Sequence, residues 1–189
     1  MTVVLTEAGA EGGLALRLRP WRAEDAPSLA AAHRDPLLRR WLTAPLDSEA
    51  AARRWVAEQA EAWATGSRFS FAVVEWQEGG GCGSPVGHVV VKRAGPASRC
   101  AEVGYWTSSH VRGRGIAPRA LDAVARWALT ARRAQEGQAP LERLELLHAV
   151  DNRASCRVAH KSGFALDREV PPQPPEFPTS GHLHVRSRA

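Results

Sequence analysis

The chain has 189 residues and carries 25 Lys and Arg against 20 Asp and Glu, a formal net charge of +5. This length fits one ordinary domain, and 44% hydrophobic with 24% charged residues excludes wholesale disorder. No apolar run reaches the roughly 18 residues of a membrane-spanning helix, and the N-terminus does not resemble a secretory signal. We therefore expect a cytoplasmic protein with no membrane partner. Residues 1–13 are predicted to form a flexible tail and residues 14–189 a single domain.

Hydrophobic periodicity predicts an alternation of strands and helices. In chain order, the predicted elements are a strand at 14–19, a helix at 23–33, a short helical piece to 42, a helix between Ser48 and Gly66, strands at 69–76, 86–92 and 99–106, a helix from 116 to about 132, a strand at 141–150, a short helix at 154–161, and strands at 164–170 and 182–186. This order predicts a mixed α/β domain of about seven strands with flanking helices.

A Gly- and Arg-rich turn joins the strand at 99–106 to the helix that begins at Ile116. It reads Val111-Arg112-Gly113-Arg114-Gly115. Glycines let the backbone turn sharply, and the first N–H groups of a helix lack internal partners, so this turn suits a pyrophosphate. No Gly-Lys-Ser/Thr follows, and a third glycine is missing, which excludes a P-loop and a Rossmann fingerprint. The alternative is a glycine turn that only caps the helix.

A second polar stretch follows the strand at 141–150. Asn152 lies at the strand end, and Ser155 follows on the same side of a short helix. An asparagine side chain offers both a donor and an acceptor to an amide-bearing ligand. The alternative is that Asn152 simply caps the helix.

Together the two stretches resemble the GNAT family of acyl-CoA-dependent N-acyltransferases, most closely its RimJ/RimL-like branch. Arg112, Gly115 and Ala117 match the family's acyl-CoA motif, Q/R-x-x-G-x-G/A. Residues 152–164 match the branch's pattern after the fifth strand, and residues 18–21 look like its first-strand signature. The resemblance covers nearly the whole chain. It implies the GNAT fold, a mixed central sheet splayed between strands 4 and 5.

The resemblance also implies a binding site for acetyl-CoA, or another acyl-CoA, in the gap between those strands. The backbone of Trp106 and Thr107 would pair with pantetheine, and Arg157 would reach the adenosine phosphates. The residues implied in cofactor binding are Trp106, Thr107, Val111, Arg112, Gly113, Arg114, Gly115, Ile116, Ala117, Asn152, Ser155 and Arg157.

The implied reaction is direct attack of an amine on the thioester. Glu102 is the candidate base, acting through water, although strand alternation places it on the face opposite Thr107 unless a bulge near Gly104 changes the register. Many family members carry a tyrosine acid seven residues after the asparagine, where this chain has Ala159. Ser155 is therefore the candidate donor to the departing sulfur.

The acceptor is predicted to be a primary amine, with a protein N-terminal α-amine favoured by the branch. A small amine such as an aminoglycoside is the alternative, and a non-catalytic acyl-CoA-binding module is a second one. A basic chain also suits nucleic acid, but no long basic run or RNA motif is present, so we do not expect a nucleic-acid partner. The chain is expected to be a monomer or a homodimer.

Cysteine and histidine usage predicts no metal site. The three cysteines are an odd number with no CxxC pair. His182 and His184 share one strand face, but the sequence names no third ligand. Cys156 beside Ser155 lacks an evident His-Asp arrangement that would make it a nucleophile.

Overall fold

The computed structural model describes residues 3–9, 14–42, 44–77, 83–131, 138–172, 174 and 178–188. The strands are β1 (Leu5–Glu7), β2 (Ala15–Pro20), β3 (Arg68–Trp76), β4 (Pro85–Arg93), β5 (Cys100–Thr107), β6 (Arg143–Ala149), β7 (Ala165–Val170) and β8 (Gly181–Ser187). The α-helices are α1 (Ala26–Ala32), α2 (Pro36–Arg39), α3 (Glu49–Thr65), α4 (Ile116–Arg126) and α5 (Arg153–Lys161).

Local side-chain chemistry sets several of these boundaries. The Ser48 hydroxyl accepts from the backbone N–H of Ala51 at 3.1 Å and caps α3, which Gly66 ends in the left-handed conformation. The helix predicted at 23–33 begins instead as a 3-10 turn (Ala23–Asp25). The Asp25 carboxylate explains this start, since it accepts from the backbone N–H of Arg22 and from the buried guanidinium of Arg19.

Two further predictions differ from the structure. The tail predicted as flexible contains β1, which pairs antiparallel with β2, while residues 1–2 and 10–13 of that tail lie outside the described residues. The helix predicted to reach about 132 ends as α4 at Arg126 and continues as a π-helical turn (Trp127–Ala131).

The described strands form one eight-stranded sheet in the order β1-β2-β3-β4-β5-β6-β8-β7. The pairing is antiparallel throughout except between β5 and β6, which are parallel. In those two strands only Cys100–Glu102 pairs with Arg143–Glu145. Beyond these residues, β5 continues to Thr107 and β6 to Ala149 without further ladder pairing between the strands. The splay predicted from the family resemblance is therefore confirmed, and the predicted strand count is near the observed one.

The core lies on both faces of this sheet because strand side chains alternate between them. Val89, Val103 and their neighbours pack under α4, and Trp106 packs in a second cluster under α1 and α3. Among the described residues no helix is both long enough and apolar enough to cross a membrane.

Candidate active site

A cavity of about 560 Å³ opens where β5 and β6 separate. Its walls come from α2 and Trp41 after it, the end of β5, the turn into α4 with the first turn of that helix, and α5 along its length. The lining residues are Leu37, Leu38, Trp41, Tyr105, Trp106, Thr107, Val111, Arg112, Gly113, Gly115, Ile116, Ala117, Pro118, Asn152, Ala154, Ser155, Arg157, Val158 and Lys161. The cavity thus brings together every predicted cofactor-binding residue except Arg114.

The turn before α4 is shaped to present backbone N–H groups. Gly113 and Gly115 have φ of +79° and +72°, a region that favours glycine. Gly115 is the N-cap of α4. Among the described residues, no protein acceptor binds the backbone N–H groups of residues 113–117. These donors, at the positive end of the helix dipole, form a ready-made anion site.

Three cationic side chains line the same cavity. Arg112 forms an ion pair with Asp35 at the start of α2. Arg157 and Lys161 form no salt bridge within the part of the chain that the structure describes. Arg114 instead pairs with Glu75 on β3 and points its charge away from the cavity lining. The cavity lining carries positive charge that an anionic ligand would neutralise.

Asn152 and Ser155 occupy the cavity together. The Asn152 side-chain oxygen accepts from the backbone N–H of Ser155 at 3.1 Å, so Asn152 does cap α5. Only the side-chain oxygen takes part in the cap, and the side-chain nitrogen donates to no acceptor among the described residues. The capping and ligand-binding interpretations are therefore compatible, with the Asn152 amide N–H₂ free to donate into the cavity.

Ser155 has a partner that the sequence did not reveal. Its hydroxyl lies 2.7 Å from the Tyr105 hydroxyl, across the gap between β5 and α5. Burial raises the pKa of Tyr105 to about 12, so this phenol stays protonated at neutral pH. Tyr105 can therefore donate to Ser155 and leave the serine proton directed elsewhere. The sequence leaves open whether Tyr105 lines the acyl pocket or packs in the core, and it does not reveal the contact with Ser155.

Glu102 lies outside the cavity. It is exposed on β5, and its carboxylate accepts from Lys92 at 2.6 Å. The pairing of β4 with β5 runs without a register shift from Gly87–Thr107 to Arg93–Ala101, so the bulge considered near Gly104 is absent. The role of Glu102 as the base stays a prediction that the cavity geometry does not support.

The wall opposite α4 exposes apolar side chains. Leu37 and Trp41 are 63% and 40% exposed and line the cavity. In contrast, Trp55 packs edge-on against Trp21, and Trp63 packs against aromatic residues of the core. Of the tryptophans in the first helical segments, Trp41 is the one placed to meet a ligand.

Comparison with known proteins identifies the family of this chain. A family model described as an acetyltransferase (GNAT) domain matches residues 15–165. The ribosomal-protein-serine acetyltransferase of Escherichia coli is 35% identical over 82 residues, which is 43% of this chain and 42% of that protein. The match thus spans less than half the length of that relative.

Solved structures share the fold. RimL, a ribosomal alpha-N-protein acetyltransferase in complex with coenzyme A, superposes with a TM-score of 0.79 at 19% identity over 98% of each chain. Mycobacterium smegmatis RimJ in complex with a CoA-disulfide gives a TM-score of 0.74 at 20% identity, over 98% of this chain and 86% of that one. These likenesses show that the chain shares the fold of both transferases. Because the family model covers most of its length, the chain belongs to the GNAT acetyltransferase family.

Proposed function

We propose that this protein transfers an acetyl group from acetyl-CoA to a primary amine, and that the favoured acceptor is a protein N-terminal α-amine. The observation that carries the proposal is the cavity in the β5–β6 gap, where backbone N–H groups and cationic side chains that have no partner among the described residues lie together. Such a combination fits a long ligand with a pyrophosphate in its middle.

Each part of the ligand has residues suited to it. The N–H groups of residues 113–117 would hold the pyrophosphate, and Arg157 would meet the adenosine phosphates. The backbone of Trp106 and Thr107 lies beyond the ladder that joins β5 to β6, so its edge on that side would pair with pantetheine amides. The Asn152 amide would donate to the same arm.

The thioester supplies an activated carbonyl and a leaving group that departs as a fairly stable thiolate. The amine nitrogen forms the new C–N bond and releases one proton to water, the C–S bond breaks, and the sulfur takes a proton. Ser155 is the proposed donor of that proton, and Tyr105 donates to Ser155 in turn at 2.7 Å. Water restores the proton after each turnover.

Two observations favour a peptide acceptor over an aminoglycoside. Among the described residues, the cavity lining contains no carboxylate, which a polycationic sugar would need. The exposed Leu37 and Trp41 instead suit the side chains of a peptide. The name of the Escherichia coli relative, a ribosomal-protein-serine acetyltransferase, points to the same class of acceptor.

A mass-spectrometric transfer assay tests the proposal. The full chain is mixed with acetyl-CoA and one of three acceptors: a peptide with a free N-terminal serine, the same peptide with a blocked N-terminus and an internal lysine, or an aminoglycoside. We expect acetylation of the free α-amine only. Acetylation of the aminoglycoside alone would contradict the acceptor, and binding without turnover on any amine would leave a non-catalytic module.

A further inference from the structure

Four potential metal ligands meet on the sheet face covered by α5. His148 on β6 lies directly opposite His182 on β8, and His184 follows two residues later on the same face. Cys156, in the second turn of α5, faces all three. One ligand atom from each residue lies within 4.8 Å of every other. The sequence lacked the signal for this cluster because it joins two strands and a helix that are separated along the chain.

The distances from the Cys156 sulfur to two histidine nitrogens are close to those expected between ligands of a tetrahedral zinc ion. Cys156 Sγ lies 3.7 Å from His182 Nδ1 and 3.6 Å from His184 Nε2. A Zn–S bond of about 2.3 Å and a Zn–N bond of about 2.0 Å at the tetrahedral angle separate sulfur from nitrogen by about 3.5 Å. The two measured distances therefore leave room for an ion between these atoms after only small shifts.

The hydrogen bonding of His148 determines which of its ring nitrogens can bind an ion. Its Nδ1 lies 2.9 Å from the carbonyl of Ala149, which can only accept, so the proton is on Nδ1. Its Nε2 is then a buried lone pair, and it has no hydrogen-bond partner among the described residues. A carbonyl that fixes the tautomer of a ligating histidine is the usual outer shell of a metal site.

Two of the four ligands are shielded from water, and Cys156 and His182 are half-buried. His148 and His184 are buried, at 6% and 0% exposure. Burial lowers the pKa of both imidazoles, and a charge on His182 would lower both pKa values further. Neutral imidazole is the form that binds metals.

We propose that His148, Cys156, His182 and His184 form a four-coordinate site for Zn²⁺. The Cys156 thiol would lose its proton to solvent on binding and ligate as thiolate. Four protein ligands close the coordination sphere, as in structural zinc sites, so the ion would pin α5 to β6 and β8. Because Cys156 is adjacent to Ser155, the same ion would fix the helix turn that carries Ser155 and Asn152. The site is separate from acetyl-CoA binding and does not depend on the proposed function.

The test uses the full chain without a histidine tag, stripped with a chelator and titrated with Zn²⁺ or Co²⁺. We expect about one ion per chain by elemental analysis. With Co²⁺ we expect tetrahedral visible bands and a thiolate-to-cobalt charge-transfer band. Cys156→Ala should remove the charge-transfer band and weaken Zn²⁺ binding by at least about 100-fold, more than loss of an outer-shell group.

Two variants serve as matched controls. Cys100→Ala removes the other described free cysteine, which lies on β5 outside the cluster. His160→Gln removes an exposed histidine whose ring is 5.3 Å from that of His184 but which is not one of the four ligands. Both should keep full metal uptake and the charge-transfer band.

Three results would overturn the proposal. They are wild-type protein that takes up far less than one ion, a Co²⁺ complex without a thiolate band, and Cys156→Ala that binds Zn²⁺ as tightly as wild type. The Co²⁺ spectrum of the wild-type protein tests the proposed site even if a variant fails to fold. None of these readouts involves acetyl-CoA, so they separate this site from the transferase proposal.

Discussion

Acid should destabilise the fold through two buried histidines beside the cavity. The indole N–H of Trp21 donates to Nδ1 of His88 at 3.0 Å, and the backbone N–H of Leu46 donates to Nδ1 of His33 at 3.0 Å. Each Nδ1 must keep its lone pair to accept these bonds. Burial lowers the pKa of His88 from 6.5 to about 3 and that of His33 from 6.5 to about 4.

The sign and size of this change in the free energy of unfolding follow from proton linkage. Between the folded pKa and 6.5 the unfolded chain binds more protons than the folded one, so the free energy of unfolding falls as the pH falls below 6.5. At pH 5 each histidine is about 1.5 pH units below its unfolded pKa and still mostly neutral when folded. At about 1.4 kcal/mol per pH unit, each histidine lowers the free energy of unfolding at pH 5 by about 2 kcal/mol relative to pH 7.

Urea unfolding followed by tryptophan fluorescence at pH 7 and pH 5 measures this loss. In His88→Gln the amide oxygen can still accept from Trp21 but does not titrate, so we expect the loss to shrink by about 2 kcal/mol. The exposed His110→Gln is the control and should lose as much stability as wild type. Equal pH dependence of His88→Gln and wild type would refute the reasoning.

Four further substitutions give direct tests. Asp25→Asn removes the carboxylate that forms an ion pair with the buried Arg19 guanidinium, and we expect a loss of about 3–5 kcal/mol in denaturant unfolding; a loss below 1 kcal/mol would contradict this. Ser155→Ala should lower kcat by about 100-fold, and Tyr105→Phe by about three- to tenfold, since it removes one hydrogen bond; a larger loss from the tyrosine would reverse their order. Glu102→Gln should change kcat by less than about threefold, because its carboxylate is exposed outside the cavity, whereas a hundredfold fall would establish it as the base.

The fold was largely predictable because its elements carry local signals. Periodic apolar residues marked α4, and Ser48 with Gly66 bounded α3 as expected. β1 was not predicted because three residues are too few to show alternation, and because its pairing with β2 is not visible in the local sequence. The π-helical turn escaped because its residues continue the apolar pattern of α4.

The site was predictable where one segment builds it. The turn at 112–117 and the cap at Asn152 are contiguous in sequence, and both line the cavity. Arg114 was placed in the site by its neighbours in sequence, but its partner Glu75 lies on a distant strand. The Tyr105–Ser155 hydrogen bond likewise joins residues fifty positions apart, which a single sequence does not reveal.

Calorimetric binding of acetyl-CoA to wild type, Ala117→Glu and Ala117→Gln tests the central claim most directly. Ala117 lines the cavity in the first turn of α4, where an acidic residue favours the helix, and it avoids the backbone strain expected of a side chain at Gly115. A carboxylate within about 5 Å of the pyrophosphate would cost roughly 3 kcal/mol, or at least about 100-fold in Kd. The account predicts micromolar binding by wild type, binding within about threefold by Ala117→Gln, and this loss in Ala117→Glu. Equal binding by the two variants, or no binding by wild type, would contradict it.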